Sequence, residues 1–208
     1  MNILSLDSSS SVASVSVVSF GKEEPEVRFE SNTPHARSDS SALFAALRQA
    51  VDSCGNPDAV CVGLGPGSYN GLRAAIAAAR ALATGLKIPL HALPSPLGWP
   101  GPDSGFWAVG DARGGHYWVA AVQHEIFLEK PVLLSPGDTL KHLITHPDFP
   151  ILSTSPLVGI DNIEQSSPSA ARLAMLAKKL DPLFLVSGTP EPLYLKPPHI
   201  TAPRSLAS

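Results

Sequence analysis

The residues best suited to chemistry form a glycine-rich loop, Gly65-Pro66-Gly67-Ser68-Tyr69-Asn70-Gly71. An apolar run, residues 59–64, precedes this loop and an alanine-rich segment follows it, which predicts the order strand, loop, helix. Such loops can bind phosphate, because glycines admit the anion and a helix N-terminus offers unpaired N–H groups. The pattern lacks the Lys-Ser/Thr ending of a P-loop and the spacing of the dinucleotide fingerprint. A tight connection without phosphate contact therefore stays the favoured alternative.

A carboxylate, Asp7, ends the first apolar run, where it could coordinate magnesium or orient a water molecule. The serines that follow, Ser8 to Ser11, are typical of a turn, so the favoured alternative is that Asp7 caps this turn. The order strand, aspartate, turn, strand returns 104 residues later at Asp111, with Arg113 in the turn. Either short hairpins resemble each other by chance, or the chain holds two related α/β halves, the second degraded.

Other residues that could carry chemistry give weaker signals. His142 and His146 have the i, i+4 spacing of helical metal ligands, but the stretch lacks a carboxylate and Pro147 follows. A solvated surface pair is favoured, and no metal site is predicted. Ser68 has no evident His and Asp partners and no G-x-S-x-G elbow is present, which disfavours nucleophilic catalysis. Cys54 and Cys61 lack a CxxC pattern and indicate free thiols of a reducing compartment.

Composition narrows the class of protein. The 208 residues are 44% hydrophobic and 16% charged with a formal net charge of −3, which argues against an independent nucleic-acid binder. No apolar run is long enough to cross a membrane and no basic leader begins the chain, so we expect a soluble cytoplasmic protein. Residues 94–105 hold four prolines and three glycines. We predict an N-terminal lobe over residues 1–100 and a smaller C-terminal lobe over residues 101–208 with a proline-rich tail.

Hydrophobic periodicity predicts the elements. Strands are expected at residues 3–6, from 12, and at 27–29, 59–64, 88–93, 106–110, 117–122 and 132–134. Helices are expected from a cap at Ser38 or Asp39 to residue 53, then over residues 72–84, 137–146 and 169–180, with Gly85 ending the second of these at its C′ position.

The alanine-rich helix has two distinct faces. Leu72, Ile76, Ala79 and Ala83 form the stripe that should face the core. The opposite face carries small residues where charges are usual, with Arg73, Arg80 and Thr84 beside them; these small residues are Ala74, Ala77, Ala78 and Ala81. This face predicts a surface that another helix can approach closely. The alternative is that the alanines reflect helix propensity alone.

Several segments together resemble the TsaB (YeaZ) family, which is related to TsaD and the glycoprotease-like proteins. They are residues 65–73 (GPGSYNGLR), the helix ending in Gly-Leu-Lys-Ile-Pro, residues 111–114, Tyr117-Trp118, and residues 191–195 (EPLYL). The similarity is densest over residues 1–125 and weak over 130–188. It implies an α/β protein with the actin-like ATPase (sugar kinase/Hsp70/actin, or ASKHA) fold, in which two related lobes contain mixed β-sheets and the second lobe is degenerate.

The resemblance also implies a function. Family members act as scaffold subunits that support TsaD in N6-threonylcarbamoyladenosine modification of tRNAs reading ANN codons, together with TsaE. TsaD-like chains carry an HxxxH metal motif, whereas this chain reads His91-Ala92-Leu93-Pro94-Ser95. We therefore expect no catalytic residue, metal or cofactor in this chain, with ATP and metal held by partner subunits. We also expect tRNA contact only through the complex, and a homodimer when the chain is alone.

The resemblance assigns residues to two sites. The partner interface is expected at Phe44, Arg73, Ala74, Ala77, Ala78, Arg80 and Ala81. Vestigial nucleotide or phosphate loops are expected at Asp7, Ser8, Gly65, Gly67, Ser68, Gly71, Asp111 and Arg113. The main alternative is an active ATPase or phosphotransferase of the same fold, with these loops around a nucleotide. The turn after Asp7 offers no Lys or Arg to balance phosphates, and a metallopeptidase would need ligands that the sequence lacks.

Overall fold

The computed structural model describes residues 1–34, 40–180 and 189–195, which form two five-stranded sheets. The first sheet has the order β3-β2-β1-β4-β5 and consists of β1 (Asn2–Asp7), β2 (Val12–Ser19), β3 (Glu26–Pro34), β4 (Ala59–Gly63) and β5 (Leu90–Leu93). The second has the order β10-β9-β6-β7-β8 and consists of β6 (Phe106–Asp111), β7 (Tyr117–Gln123), β8 (Ile126–Leu134), β9 (Ile151–Ser153) and β10 (Ile163–Gln165).

The two sheets share one topology. In each, three consecutive strands form an antiparallel meander, and the fourth and fifth strands add in parallel beside the first. Asp7 and Asp111 are the last residues of the first strand of each sheet, which confirms the predicted repeat of strand, aspartate, turn and strand. The predicted fold class is likewise confirmed: the protein is an α/β protein whose two mixed sheets have the arrangement of the actin-like fold.

Among the described residues, four α-helices cover the sheets: α1 (Ser41–Cys54), α2 (Tyr69–Leu86), α3 (Pro136–Leu143) and α4 (Ala170–Lys179). Helices α1 and α2 lie on one face of the first sheet and α4 on its other face, while α3 packs against β7. Three helices begin at serines whose hydroxyls accept a backbone N–H, namely Ser68, Ser135 and Ser169. The cap predicted at Ser38 or Asp39 lies outside the described residues.

The predicted end of α2 at Gly85 is wrong. The helix continues through Leu86, and Lys87 adopts the left-handed conformation (φ 56°) while its N–H bonds to the carbonyls of Ala83 and Thr84. Ile88 N–H also donates to the Ala83 carbonyl. The left-handed residue that ends the helix is therefore Lys87, two residues after the predicted Gly85. Strands β9 and β10 were not predicted, because three residues are too few to show a period.

A shared core joins the two sheets through α4. One apolar cluster includes Ile3 and Leu93 from the first sheet, Trp118 and Leu152 from the second, and Leu173 from α4. The N-terminus of α4 is also held by the first sheet, since Ala170 N–H donates to Ser14 Oγ at 2.9 Å. The sheets lie on either side of residues 94–105, but this helix from the second half of the chain packs on the first sheet. None of the described helices combines the length and apolar character needed to span a membrane.

Candidate functional site

The glycine-rich loop connects β4 to α2 and packs tightly against the turn that follows β1. Ser68 N–H donates to the Ser9 carbonyl at 2.7 Å. A Cβ on Gly67 would overlap this same carbonyl oxygen, and one on Gly71 would overlap that of Ser8. Both glycines are therefore needed because the loop touches the turn backbone. The favoured alternative, a tight strand-to-helix connection, explains these glycines without a phosphate.

Asp7 is buried beneath this turn, with 1% of its surface exposed. Its Oδ1 accepts from Ser9 N (2.8 Å) and Ser9 Oγ (2.6 Å), and its Oδ2 accepts from Ser95 Oγ (2.5 Å). Burial raises the pKa of the Asp7 carboxyl above its ordinary value, and these hydrogen bonds offset only part of the rise. The capping interpretation is thus confirmed. Asp7 also fixes Ser95, two residues after β5, whose Oγ in turn accepts from Gly65 N at 2.8 Å.

A cleft of about 160 Å³ lies where the strand ends of the two sheets face each other. Its lining includes Gly67 and Ser68 from the glycine loop and Asp111 and Arg113 from the second sheet's turn. Asp7, Ser8, Gly65 and Gly71 do not line it, whereas Ser9 to Ser11 do. The structure therefore brings together only part of the predicted phosphate site.

The chemistry of this cleft is limited. Pockets for small molecules usually measure about 300–1,000 Å³, so the cleft is small for a nucleotide. Arg113 is the one cation among the described lining residues, and its backbone N–H donates to Asp111 Oδ1 at 2.7 Å. A triphosphate needs several donors and metal-binding carboxylates. Of the two strand-end aspartates, Asp7 is buried and already hydrogen-bonded, which leaves Asp111 alone in the cleft.

The predicted interface residues lie on the outer surface of α1 and α2. Arg73, Ala77, Arg80 and Ala81 are exposed, and Ala74 is half-buried. Phe44 on α1 is 51% exposed, which is high for a large apolar side chain. The placement of Ala78 on this face is wrong: it is buried in the core with Ala75 and Ala79, because it lies about 100° from Ala77 around the helix.

Two tyrosines at one end of this surface were not predicted as a site. Tyr69 begins α2 and stacks on Tyr194, with ring centroids 5.3 Å apart. Arg73 donates to Tyr69 Oη at 3.1 Å, and its guanidinium carbon lies 5.3 Å from the Tyr69 ring centroid. Leu193 N–H donates to the Leu64 carbonyl and holds this C-terminal segment against the glycine loop. No local spacing could reveal a pair so distant in sequence.

The two histidines of α3 and its C-terminal turn are not the solvated pair that was predicted. Glu129 on β8 supplies the carboxylate that the local sequence lacks, with its oxygens 2.6 Å from His142 Nε2 and 3.7 Å from His146 Nε2. Both rings are half-buried beside Trp107, at centroid distances of 5.3 and 5.6 Å. Within residues 1–34, 40–180 and 189–195, no group of three or more His, Cys, Asp or Glu side chains has the geometry of a metal site.

Comparison with known proteins finds relatives in sequence for the loop and α2, and in fold for the two equivalent sheets. Residues 30–98 match the family model of TsaD, tRNA N6-adenosine threonylcarbamoyltransferase. The chain is similar over 94% of its length to the crystal structure of an uncharacterized protein with similarity to peptidase YeaZ from Pseudomonas aeruginosa, at a TM-score of 0.70, 19% identity and 99% coverage of that chain.

YeaZ from Pseudomonas aeruginosa is also similar, at a TM-score of 0.65 and 20% identity over 86% of this chain and 91% of its own. None of the proteins of curated function matches this sequence. The predicted resemblance is confirmed in two ways: the TsaD family model matches residues 30–98, and the two YeaZ-related structures share the fold over most of the chain. The chain is therefore similar to TsaD and YeaZ proteins, and the matched family model is named for threonylcarbamoyl transfer to tRNA adenosine.

Proposed function

We propose that this chain is a non-catalytic subunit that binds a TsaD partner and thereby supports N6-threonylcarbamoyladenosine formation in tRNAs reading ANN codons. The observation that carries the proposal is the exposed face of α2, whose opposite face is fixed in the core of the first sheet. In this proposal TsaE joins the complex, and ATP and metal belong to the partner subunits. The chain contacts tRNA through the complex and self-associates through the same face when the partner is absent.

Several features support a binding role over catalysis. The Asp7 carboxyl is buried and engaged by Ser9 and Ser95, and the glycine loop is filled by the backbone of the neighbouring turn. The cleft between the sheets is small and is lined by a single described cation, Arg113. These observations weigh against the alternative of an active ATPase or phosphotransferase, which needs space and positive charge for a nucleotide.

The α2 face has the residue types that dominate protein interfaces. Tyrosine and arginine are enriched among residues that contribute most to binding, and here Tyr69, Arg73 and Tyr194 are clustered at one end. Tyr69 is 41% and Tyr194 is 45% exposed, so both rings offer surface to a partner. Beyond them Ala77 and Ala81 are exposed, and their small side chains allow a helix of the partner to approach closely.

The test is to place a charge in this face. We expect Ala77→Glu and Ala81→Arg each to weaken binding to the host's TsaD by about a hundredfold, because an unpaired charge buried at an interface costs about 3 kcal/mol or more. Glu and Arg are both good helix formers, so the thermal stability of the isolated chain should change little. Titration calorimetry or surface plasmon resonance with purified TsaD measures the affinity.

Gln165→Glu is a matched control, because it adds a carboxylate at an exposed position of β10 in the other sheet. It should bind TsaD as the wild type does. Wild-type affinity in both alanine variants would contradict the proposed interface. About one tightly held zinc or iron per chain, found by elemental analysis, would contradict the non-catalytic role.

A further inference from the structure

Helix α2 lies in a part of the chain that carries positive charge only. Residues 59–102 contain Arg73, Arg80 and Lys87 and no Asp or Glu, although the whole chain has 18 acidic residues and a net charge of −3. On α1, by contrast, Arg48 lies 3.6 Å from Asp52. No ion pair joins these three cations to a carboxylate of the described residues. The negative protein therefore presents a locally unbalanced positive helix.

Arg73 and Arg80 lie along one line of the α2 surface, and Lys87 follows directly after the helix end. The two arginines are seven residues apart, which is about two helical turns and separates their Cα atoms by about 10 Å. Arg73, Arg80 and Lys87 are all exposed, and Tyr69 begins the same line. The exposed alanines Ala77 and Ala81 run beside it. The charge is thus placed at the edge of the surface that the proposed function assigns to the partner.

We propose that these cations make α2 select a partner helix that carries carboxylates along its facing side, in preference to a second copy of this chain. This inference rests on the proposed function and adds to it the chemical character of the partner's surface. Complementary charge beside an interface steers association and suppresses wrong partners. The exposed alanines next to the cations favour a protein helix over RNA, since a phosphate backbone makes no use of a small apolar surface.

Self-association through the same face brings equal charges together. A two-fold dimer pairs the same surface patch of both copies, so Arg73, Arg80 and Lys87 would meet their own equivalents. Repulsion between these side chains weakens the homodimer, while attraction to carboxylates strengthens the complex with the partner. The two associations must therefore respond to salt in opposite directions, because salt screens both interactions.

The test is a salt series with a charge-reversed chain. Raising salt from about 0.1 M to about 1 M shortens the Debye length from about 10 Å to about 3 Å. We expect this change to weaken the complex of the wild type with the host's TsaD by about tenfold and to strengthen the homodimer. The Arg73→Glu/Arg80→Glu double variant should lose at least about tenfold in affinity for TsaD at low salt. Mixed with the wild type, it should form a mixed dimer tighter than either homodimer.

Arg28→Glu on β3, at the sheet edge away from α2, is the control for a change of net charge and should behave as the wild type. If Ala77→Glu weakens TsaD binding while the double variant and salt do not, the charge inference is wrong and the proposed interface stands. If Ala77→Glu and Ala81→Arg both bind TsaD with wild-type affinity, the proposed interface fails first. A double variant that keeps TsaD affinity but loses tRNA binding by the isolated chain would assign the cations to RNA and overturn the inference.

Discussion

At the scale of single residues, serines and a glycine close to Asp7 enclose its carboxylate and use its hydrogen-bonding capacity. Ser9 and Ser95 hydroxyls donate to the carboxylate, and Gly63 on β4 has no room for a Cβ because Asp7 Oδ2 lies against it. The strand-end aspartate is therefore a structural group that connects β1 to the segment after β5. Sequence alone left this role and metal coordination as alternatives, because the partners of Asp7 include Ser95, which is distant in the chain.

The raised pKa of Asp7 leads to a prediction about pH. Its cause is burial, so the folded protein holds this proton more tightly than the unfolded chain does. The stabilisation that Asp7 contributes is present below the ordinary aspartate pKa of about 4 and is lost as pH rises from there through the folded pKa. Asp7→Asn has no such proton to lose. As pH rises from about 3 to about 7, we expect the free energy of unfolding of Asp7→Asn to increase relative to that of the wild type.

Urea denaturation at a series of pH values measures this difference. The relevant quantity is the pH dependence of the difference in free energy of unfolding between the variant and the wild type. The altered hydrogen bonds of the amide with Ser9 and Ser95 add a constant to this difference at every pH. If the wild type instead becomes more stable relative to Asp7→Asn as pH rises, the hydrogen bonds lower the pKa of Asp7 more than burial raises it.

At the scale of elements, α2 shows what local pattern can and cannot predict. Its core stripe, Leu72, Ile76, Ala79 and Ala83, is buried as the 3.6-residue period predicts. Its end was mispredicted, because Gly85 is a frequent C′ residue but the left-handed conformation falls on Lys87. The burial of Ala78 was also missed, since a helical projection has no information on how far the first sheet extends under the helix. The helical period thus predicts which side of α2 faces the core, whereas the packing of the sheet beneath it determines how wide the buried side is.

The same substitution at two glycines of α2 should have opposite effects. Gly85→Ala meets no atom within 4 Å, so it should raise the free energy of unfolding by about 0.5–1 kcal/mol through helix propensity. Gly71→Ala gains the same propensity, but its Cβ overlaps the Ser8 carbonyl oxygen. We expect it to lower the free energy of unfolding by about 1–3 kcal/mol, because the loop and the turn must separate.

Chemical denaturation followed by circular dichroism measures both glycine variants, and each serves as the control for the other. A neutral or stabilising Gly71→Ala would show that the turn moves easily and that the loop glycine serves some purpose other than this contact.

At the scale of the whole molecule, the duplicated order of elements was predictable and the way the halves join was not. The recurrence of strand, aspartate and turn at Asp7 and Asp111 indicated two related units, and the two sheets have the same strand order. The two halves are joined by α4. The sequence of this segment predicts a helix but does not show which sheet the helix packs against. The stacking of Tyr69 on Tyr194 and the contact of Glu129 with His142 and His146 are likewise long-range, and no periodicity encodes them.

The shared core predicts that the two halves unfold together. Leu43 lies on α1 in the cluster that α1 and α2 form with the first sheet, and it is 1% exposed. The tryptophans Trp99, Trp107 and Trp118 all follow residue 98, so their fluorescence reports the second sheet and the junction. Leu43→Ala should cost about 2–5 kcal/mol. We expect it to lower the tryptophan-detected midpoint of unfolding as much as the midpoint detected by circular dichroism.

The reason is that α4 packs on the first sheet with Leu173 while the same cluster contains Trp99 and Trp118, so loss of the first sheet exposes the junction. Leu143→Ala, in the cluster of the second sheet around Trp107, provides the reciprocal measurement from the other half. If Leu43→Ala leaves the tryptophan midpoint unchanged and produces two transitions, residues 1–100 and 101–208 are independent folding units, and α4 contributes less to their cohesion than its buried contacts indicate.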